Sequence, residues 1–360
     1  MLIFLICVLF LSLYKIKIAK PVLSGYNQNY LDINQTNSIK GIFILLVFLS
    51  HSLNYLSAFS SYSDDFLNRA YSVFQSHLGQ GVVVMFLFYS GYGVMEAIKK
   101  KGKEYVKAIP LKRIFITWLN FAVAVLLYAL LGLILGTYKQ WSFCRVVLSF
   151  FAWDSIGNSN WYIFAIICLY LFTFISFSLI KNKNGLAVSI VALLTFVYII
   201  VLSFLKKEEA WWFDSVFCYT IGMLFSLYKA KLQNLFSKNP FSYYLTFFFI
   251  LMAFSICHLL RTNIICYEIQ LLLMPIIVVF ITMKINISNN ILSFLGKHIF
   301  EIYILMRIPM IVLIKLNVTN AFLFVGLSFV VTIALSVIFN KTISAVDSCL
   351  MKKLLQKTHN

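Results

Sequence analysis

The sequence carries little charge and very little of one sign. Only 12% of its 360 residues are Asp, Glu, Lys or Arg, and 12 acidic residues stand against 30 basic ones. A water-soluble domain of this size needs a more polar surface than that composition provides. Room for a separate soluble domain is also missing, because the longest intervals between apolar runs are about 15–25 residues, too short to hold one. The seven cysteines (Cys7, Cys144, Cys168, Cys218, Cys257, Cys266, Cys349) are odd in number and mostly sit in apolar runs. They read as small core residues, which argues against a disulfide framework. No His/Cys/carboxylate set has metal-ligand spacing, and HExxH is absent, so no metal site is expected. The phosphate-binding GxxxxGKS/T pattern and the Rossmann glycine pattern are absent too, which speaks against nucleotide hydrolysis. There is no internal repeat and no low-complexity tract.

What is abundant is apolar sequence. Hydrophobic residues make up 61% of the chain, and the mean hydropathy is +0.90. Both values belong to a polytopic membrane protein. Apolar runs fall at about 1–14, 41–60, 81–98, 114–136, 160–180, 186–205, 212–228, 241–259, 265–283, 298–315 and 321–339. They predict an all-α protein of about eleven transmembrane helices, an N-terminal one and a ten-helix core.

The formal net charge of +18 does not call for nucleic acid. Alternating the segments across a bilayer puts 22 of the 30 Lys/Arg on the side of the 99–113 loop and the C-terminus, and 7 on the other, with Arg307 inside a helix. That asymmetry is the positive-inside pattern, it suits contact with anionic membrane lipid, and it makes the richer side and the C-terminus cytoplasmic. The first run, MLIFLICVLFLSLY, is followed by Lys15, Lys17 and Lys20 and has neither the charge order nor the cleavage site of a secretory signal. The chain therefore divides into an N-terminal helix (1–20), a polar cytoplasmic linker (21–38), a membrane domain (39–340) and a cytoplasmic tail (341–360).

A few polar residues sit where polar residues are costly. Lys40 and His51 are eleven residues apart in NSIKGIFILLVFLSHS, which on an α-helix is three turns plus about 20°, so they share a face. His51 lies about 16 Å beyond Lys40, near the middle of a ~30 Å hydrocarbon core. An ionisable side chain there is either functional or hydrogen-bonded to a neighbouring helix. Ser90, in YSGYG, falls at a similar depth on the next core helix and could meet His51 if those two helices pack together. Gly91 and Gly93 would permit a close approach, and small residues in membrane helices also serve packing alone. Between these helices lies an outer loop with Asp64, Asp65, Arg69 and His77. The basic loop KKKGKEYVKAIPLKR ends in Lys112 and Arg113, a cation pair suited to a polyphosphate or to lipid headgroups. NSNWYIF opens an outer helix end, where Trp161 and Tyr162 read first as interfacial aromatics. In FLGKHIFEIYILMRIP, Glu301 and Arg307 fall on different faces, whereas Tyr303 and Arg307 share one, so Arg307 needs an acceptor on another helix or a wet cavity.

Taken together these segments resemble acyltransferase family 3, integral membrane proteins that include bacterial O-acetyltransferases of surface polysaccharides. Lys40-Gly41 to His51 resembles the family's R-G-x-A-x-L-x-V-x-x-x-H helix. GQGVVVMFLFYSGYG, with Ser90, Gly91 and Tyr92, resembles its G-V-x-x-F-F-x-x-S-G-F segment. Lys112-Arg113 occupies the place of its arginine-rich cytoplasmic motif, NWYIFAIICLYLF with Trp161 resembles its W-Y helix, and LSFLGKHIFEIYILMRIP resembles its late L-G-K signature with Glu301, Tyr303 and Arg307. The order holds over about residues 37–315. Three departures stand out: Lys40 replaces the usual arginine, Ile299-Phe300 replace a Ser-Tyr pair, and Met306 stands where the family has a late histidine. The extracellular SGNH-type domain of some members is not present.

The resemblance implies an acetyl-CoA-dependent O-acyltransferase of a bacterial cytoplasmic membrane, with a cell-surface or lipid-linked glycan as acceptor and no permanently bound cofactor. His51 would be catalytic, as base or acyl carrier, and Lys40, Lys112 and Arg113 would bind the phosphates of the acyl-CoA. Ser90, Gly91, Tyr92, Trp161, Glu301, Tyr303 and Arg307 would support the substrates. A histidine that titrates near neutral pH fits the base an acyl transfer to a hydroxyl needs. Two other classes stay open from the residues alone: a glycan flippase or transporter without covalent chemistry, and a glycan polymerase or ligase, which would be expected to carry a large outer loop.

Overall fold

The structure, a computed structural model, describes residues 1–21, 24–57, 66–180 and 183–357, with side chains as far as Ser348. Asp64 and Asp65 of the expected outer loop lie outside the described residues. The chain runs through α1 (Leu2–Leu13), β1 (Lys17–Ile18), α2 (Ile33–Leu56), α3 (Phe66–Leu78), α4 (Val84–Lys101), α5 (Lys103–Ile109), α6 (Ile116–Leu135) and α7 (Phe143–Phe150). It continues through α8 (Trp161–Leu179), α9 (Asn184–Leu205), α10 (Phe217–Lys238), α11 (Pro240–Leu259), α12 (Ile264–Lys284), β2 (Ile285–Asn286), α13 (Asn290–Lys297), α14 (Ile299–Leu305), α15 (Arg307–Lys315) and α16 (Ala321–Lys357).

Among the described residues, nine helical stretches are long and apolar enough to cross a membrane, and the protein is a multi-pass, all-helical membrane protein. The two other apolar runs are also helical. The first is the twelve-residue α1, and the run at 298–315 is broken into α14 and α15. Large apolar side chains point outward along several helices, for instance Phe241, Phe248 and Phe249 of α11 and Leu193, Phe196 and Phe204 of α9. In a bilayer these faces meet lipid tails, so they need no cover.

The link before α2 is strapped to the end of α12. β1 and β2 pair antiparallel, with Lys17 opposite Asn286, and the Nδ2 of Asn27 donates to the carbonyl of Thr282 at 3.0 Å. Asp32 caps α2, accepting from the Gln35 N–H at 2.6 Å, which satisfies one of the orphan donors of the first turn. Buried Gln35 then closes a two-way bond to the β2 region: its Nε2 donates to the Ile285 carbonyl and its Oε1 accepts from the Ile287 N–H. Helix α2 therefore begins inside the stretch read as a polar link, and its start is fixed before the chain enters the membrane.

Two further segments are more ordered than the loops expected of them. The described part of the outer loop after α2 is the amphipathic helix α3. The basic stretch after α4 is a helical corner. Gly102, at φ +57°, ends α4, a conformation glycine adopts without the Cβ penalty. The helix then resumes as α5 and passes through a π-helical segment, Pro110–Phe115, into α6. Proline has no N–H to give to the helical ladder, and π segments of this kind re-aim the residues they carry.

For α2 and α4 the closest partners in space are not sequence neighbours. Helix α2 lies along α13, where a Cβ on Gly41 would stand 2.0 Å from the carbonyl oxygen of Leu292 and one on Gly296 would stand 1.9 Å from that of Asn37. Helix α4 lies along α10 by the same device, with Gly91 against the Tyr219 carbonyl at 1.9 Å and Gly222 against that of Phe88 at 2.1 Å. Reciprocal glycines bring two backbones into contact, where dispersion and weak C–H···O contacts replace the missing hydrophobic drive between helices in lipid. Helices α2 and α4 also touch each other, but the most extensive contacts of each are with these glycine-bearing partners far along the chain.

Candidate active site

A cavity of about 410 Å³ opens among α2, α4, the α5–α6 junction, α8 and α14, a size suited to a small organic ligand. Lys40 and Arg113 line it, together with Asn120, Ser90, Tyr89, Tyr162, Tyr170 and Tyr303. Four residues singled out in the sequence (Lys40, Ser90, Arg113 and Tyr303) thus come from four separate segments to one space.

Its two cations belong to the Lys/Arg-rich side of the charge pattern. The π-helical segment carries both cations at exposed positions, with Arg113 in the cavity lining and Lys112 outside it. The Nε of Arg113 donates to the Tyr105 hydroxyl at 3.0 Å. Among the described residues no carboxylate pairs with Lys40 or Arg113. Two cations without a carboxylate partner in one partly apolar cavity make its electrostatics suited to an anion. Asn120, also in the lining, donates from Nδ2 to Asp347 Oδ2 at 3.1 Å, which ties the wall to the extended end of α16.

Elsewhere the walls are aromatic and hydroxyl-bearing. Ser90 and Tyr170 share a hydrogen bond of 2.9 Å. Tyr162 stands edge-on between Phe86 and Tyr303, at ring-centroid distances of 6.3 and 5.5 Å. Such edge-to-face pairs hold rings in place beyond what area alone provides. Tyr162 is therefore a wall of the cavity rather than a belt aromatic.

His51 lies against Arg307 of the broken helix. The Arg307 Nη2 is 3.4 Å from His51 Nδ1, and its Nη1 donates to the Asn158 carbonyl at 3.4 Å. A guanidinium can only donate, so Nδ1 is the acceptor and the neutral ring carries its proton on Nε2. The break that presents Arg307 has a local cause. Pro309 lacks an N–H, and its ring would collide with the Leu305 carbonyl if the helix ran straight. The chain parts at Met306, and Tyr128 donates its hydroxyl to the Ile304 carbonyl beside the break at 3.0 Å. Tyr303, on the face of α14 that meets the cavity, stands one turn before Arg307.

Other singled-out residues lie elsewhere. Ser90 bonds Tyr170, and His51 meets Arg307, so these two residues do not pair with each other. Gly91 packs on α10. Tyr92 accepts a hydrogen bond from Lys229 on α10 at 2.8 Å, Glu301 accepts from Asn340 of α16, and Trp161 packs edge-on to Tyr162 at 5.8 Å outside the lining. Sequence reasoning missed Asn120, Tyr170, Asn158 and Ser159. Asn158 and Ser159 were visible as an excess of polar residues before α8, more than one helix cap requires. Among the described residues, no group of three or more His, Cys, Asp or Glu could hold a metal ion.

A family model described as an acyltransferase domain matches residues 33–341, from the first residue of α2 into α16. No curated protein and no solved structure matches the chain.

Proposed function

Because this chain belongs to the acyltransferase 3 family and is a multi-pass membrane acyltransferase, we propose that it transfers an acetyl group from cytoplasmic acetyl-CoA to a hydroxyl of a cell-surface or lipid-linked glycan. The observation that carries this reading is a cavity with two carboxylate-free cations and an aromatic wall that reaches Tyr303, with His51 and Arg307 outside its lining, one turn beyond Tyr303. The cations suit the phosphates of a CoA thioester, and the cavity suits its uncharged arm. The basic side of the chain is taken as cytoplasmic, as is the C-terminus, in a bacterial cytoplasmic membrane.

In the transfer, the acceptor oxygen attacks the thioester carbonyl carbon. The new C–O bond forms, the C–S bond breaks, the hydroxyl proton passes to Nδ1 of His51, and from there it goes to the departing thiolate. A histidine held near its reacting partners supplies the base without moving bulk water into the membrane. Lys40, Arg113 and Tyr303 position the donor. Lys112, exposed beside the mouth, contributes only to the surrounding field.

Proton NMR of surface polysaccharide from cells with the intact gene, a deletion and His51→Ala tests the reading. An O-acetyl signal present in the first and lost from the other two supports both the reaction class and the residue. Loss in the deletion alone removes His51 from the chemistry. Failure of glycan export in the deletion, with acetylation of the remaining glycan intact, favours a transporter and sinks the proposal.

A further inference from the structure

Beside His51, two hydrogen-bond donors are buried without an acceptor, Nδ2 of Asn158 and Nε of Arg307, and the hydroxyl of the neighbouring Ser159 faces that of Tyr303. Asn158 and Ser159 are only 1% and 2% exposed. Buried donors are nearly always paired in folded proteins, so two unpaired ones on residues in contact need a reason. They are contiguous: Arg307 reaches both the Asn158 carbonyl and His51, and Ser159 follows Asn158 in the chain.

The direction of the Asn158 donor is fixed by the loop that carries it. Asn158 Oδ1 accepts from the Ile156 N–H at 3.0 Å, so the amide cannot turn over without losing that bond, and its NH₂ faces the other way. The Asn158 carbonyl also accepts from Ser155 Oγ at 2.6 Å, and Ser155 Oγ accepts in turn from the Gly157 N–H. Arg145 clamps the loop from outside through the Ser155 carbonyl at 2.8 Å. A loop this internally bonded holds its free donor in place before any ligand arrives, which is what preorganised stabilisation of a developing charge requires.

Resting on the acyl-transfer reading above, we infer that Asn158, Ser159 and Arg307 form the donor set that holds the negative oxygen of the tetrahedral intermediate, and that Arg307 is shared between this oxygen and His51. When the acceptor oxygen adds to the thioester carbon, the carbonyl π pair moves onto the carbonyl oxygen, and the three donors receive it. When the C–S bond breaks, that pair re-forms the carbonyl and the thiolate takes the proton held by His51. In the idle protein the guanidinium covers Nδ1 of His51. As the acyl oxygen draws Arg307 to itself, Nδ1 is uncovered at the moment it must accept the hydroxyl proton. Met306, where the resembling family has a histidine, is apolar and fully buried, so in this chain Arg307 is the polar group this helix break sends toward His51.

The test uses full-length protein in lipid nanodiscs, with acetyl-CoA as donor and octyl β-glucoside as a one-sugar lipid acceptor, following both free thiol and acetylated glucoside. Asn158→Asp is the informative variant, because it keeps the oxygen that bonds Ile156 and replaces the free NH₂ by an anionic oxygen. The expected result is a fall in kcat of about a hundredfold, with KM for both substrates and the thermal midpoint close to wild type. Arg307→Lys, which keeps the charge and loses the fork, should fall comparably, and Ser159→Ala by about tenfold. Asn158→Asp with near-wild-type kcat, or a loss that appears in KM or thermal stability instead, overturns the donor set while leaving the acyltransferase reading standing. Wild-type protein that forms no acetylated glucoside and releases no thiol overturns the transfer reading, and with it the donor set.

Discussion

Replacing Gly91 by alanine puts a methyl carbon 1.9 Å from the carbonyl oxygen of Tyr219, whereas ordinary contact begins near 3.4 Å, so α4 and α10 must part locally by about 1.5 Å. Neither side can yield cheaply, because the obstructing atom is backbone rather than the tip of a flexible side chain. Tyr219 is also held from its other end, its hydroxyl sharing a 2.9 Å hydrogen bond with Thr173 of α8 and its ring standing edge-on to Tyr170 at 6.2 Å. Ser90, the residue before Gly91, bonds Tyr170 across the cavity. Separating α4 from α10 therefore pulls Ser90, Tyr170 and Tyr219 out of register together. Overpacking of this kind costs about 1–3 kcal/mol, and a misplacement of about 1 Å in a reacting site can cost on the order of a hundredfold in rate. The thermal midpoint in detergent and the rate of thiol release from acetyl-CoA measure the two effects. Gly185→Ala is the matched control, since a Cβ there meets nothing within 4 Å, and alanine favours the first turn of α9. Gly91→Ala protein with the midpoint and rate of wild type would refute the claim that glycine contact sets the spacing of these helices.

Other perturbations separate the parts of the account. Gly296→Ala meets the Asn37 carbonyl at 1.9 Å and should lower stability by a similar ~1–3 kcal/mol, read as an earlier thermal transition that Gly326→Ala, open on all sides, does not share. Arg113→Ala and Lys40→Ala should raise the KM for acetyl-CoA about tenfold with a much smaller change in kcat, as loss of ground-state binding does, while Lys112→Ala stays within about twofold because it lies outside the cavity lining; equal effects at 112 and 113 would contradict the placement of the two side chains. Lys40→Arg should tighten acetyl-CoA binding by restoring a bidentate fork, measured by isothermal titration with a non-hydrolysable thioether analogue. Tyr128→Phe leaves the Ile304 carbonyl without the hydroxyl it now accepts from and should cost about 1–3 kcal/mol.

The sequence makes the membrane helices legible because hydrocarbon imposes one simple rule, long apolar runs, and the charge bias orders them. It also brings Lys40, Ser90, Arg113 and Tyr303 together as residues of interest, since polar groups at membrane depth stand out one by one. What it leaves hidden are relations between distant segments. Gly41 and Gly296, or Gly91 and Gly222, look alike in sequence to Gly93, yet only the former four meet a backbone, because that depends on where a helix more than a hundred residues away has come to lie. For the same reason Ser90 and His51, at similar depth on α4 and α2, take Tyr170 and Arg307 as partners instead of each other. The break at Met306 was written in the Arg-Ile-Pro that follows it, although hydropathy alone reads 298–315 as continuous. Asn158 and Ser159 stayed unnoticed because polar residues before a helix ordinarily serve as caps, and only three-dimensional neighbours reveal that the Asn158 donor is left over and that Ser159 faces Tyr303. The corner at Gly102 and the π-helical turn at Pro110–Phe115 had breaker residues as signals, but which way each would turn Lys112 and Arg113 was not in the spacing.

The central claim is that His51 does its chemistry on an acyl group brought in through the cavity of Lys40 and Arg113. Its most direct measurement is acetyl transfer by purified protein in nanodiscs, comparing wild type with His51→Ala at equal folded concentration. Wild type that converts acetyl-CoA and octyl β-glucoside into free CoA and acetylated glucoside, and His51→Ala that binds acetyl-CoA normally yet forms neither product, is the result this account predicts. His51→Ala protein that transfers acetyl at the wild-type rate would contradict it.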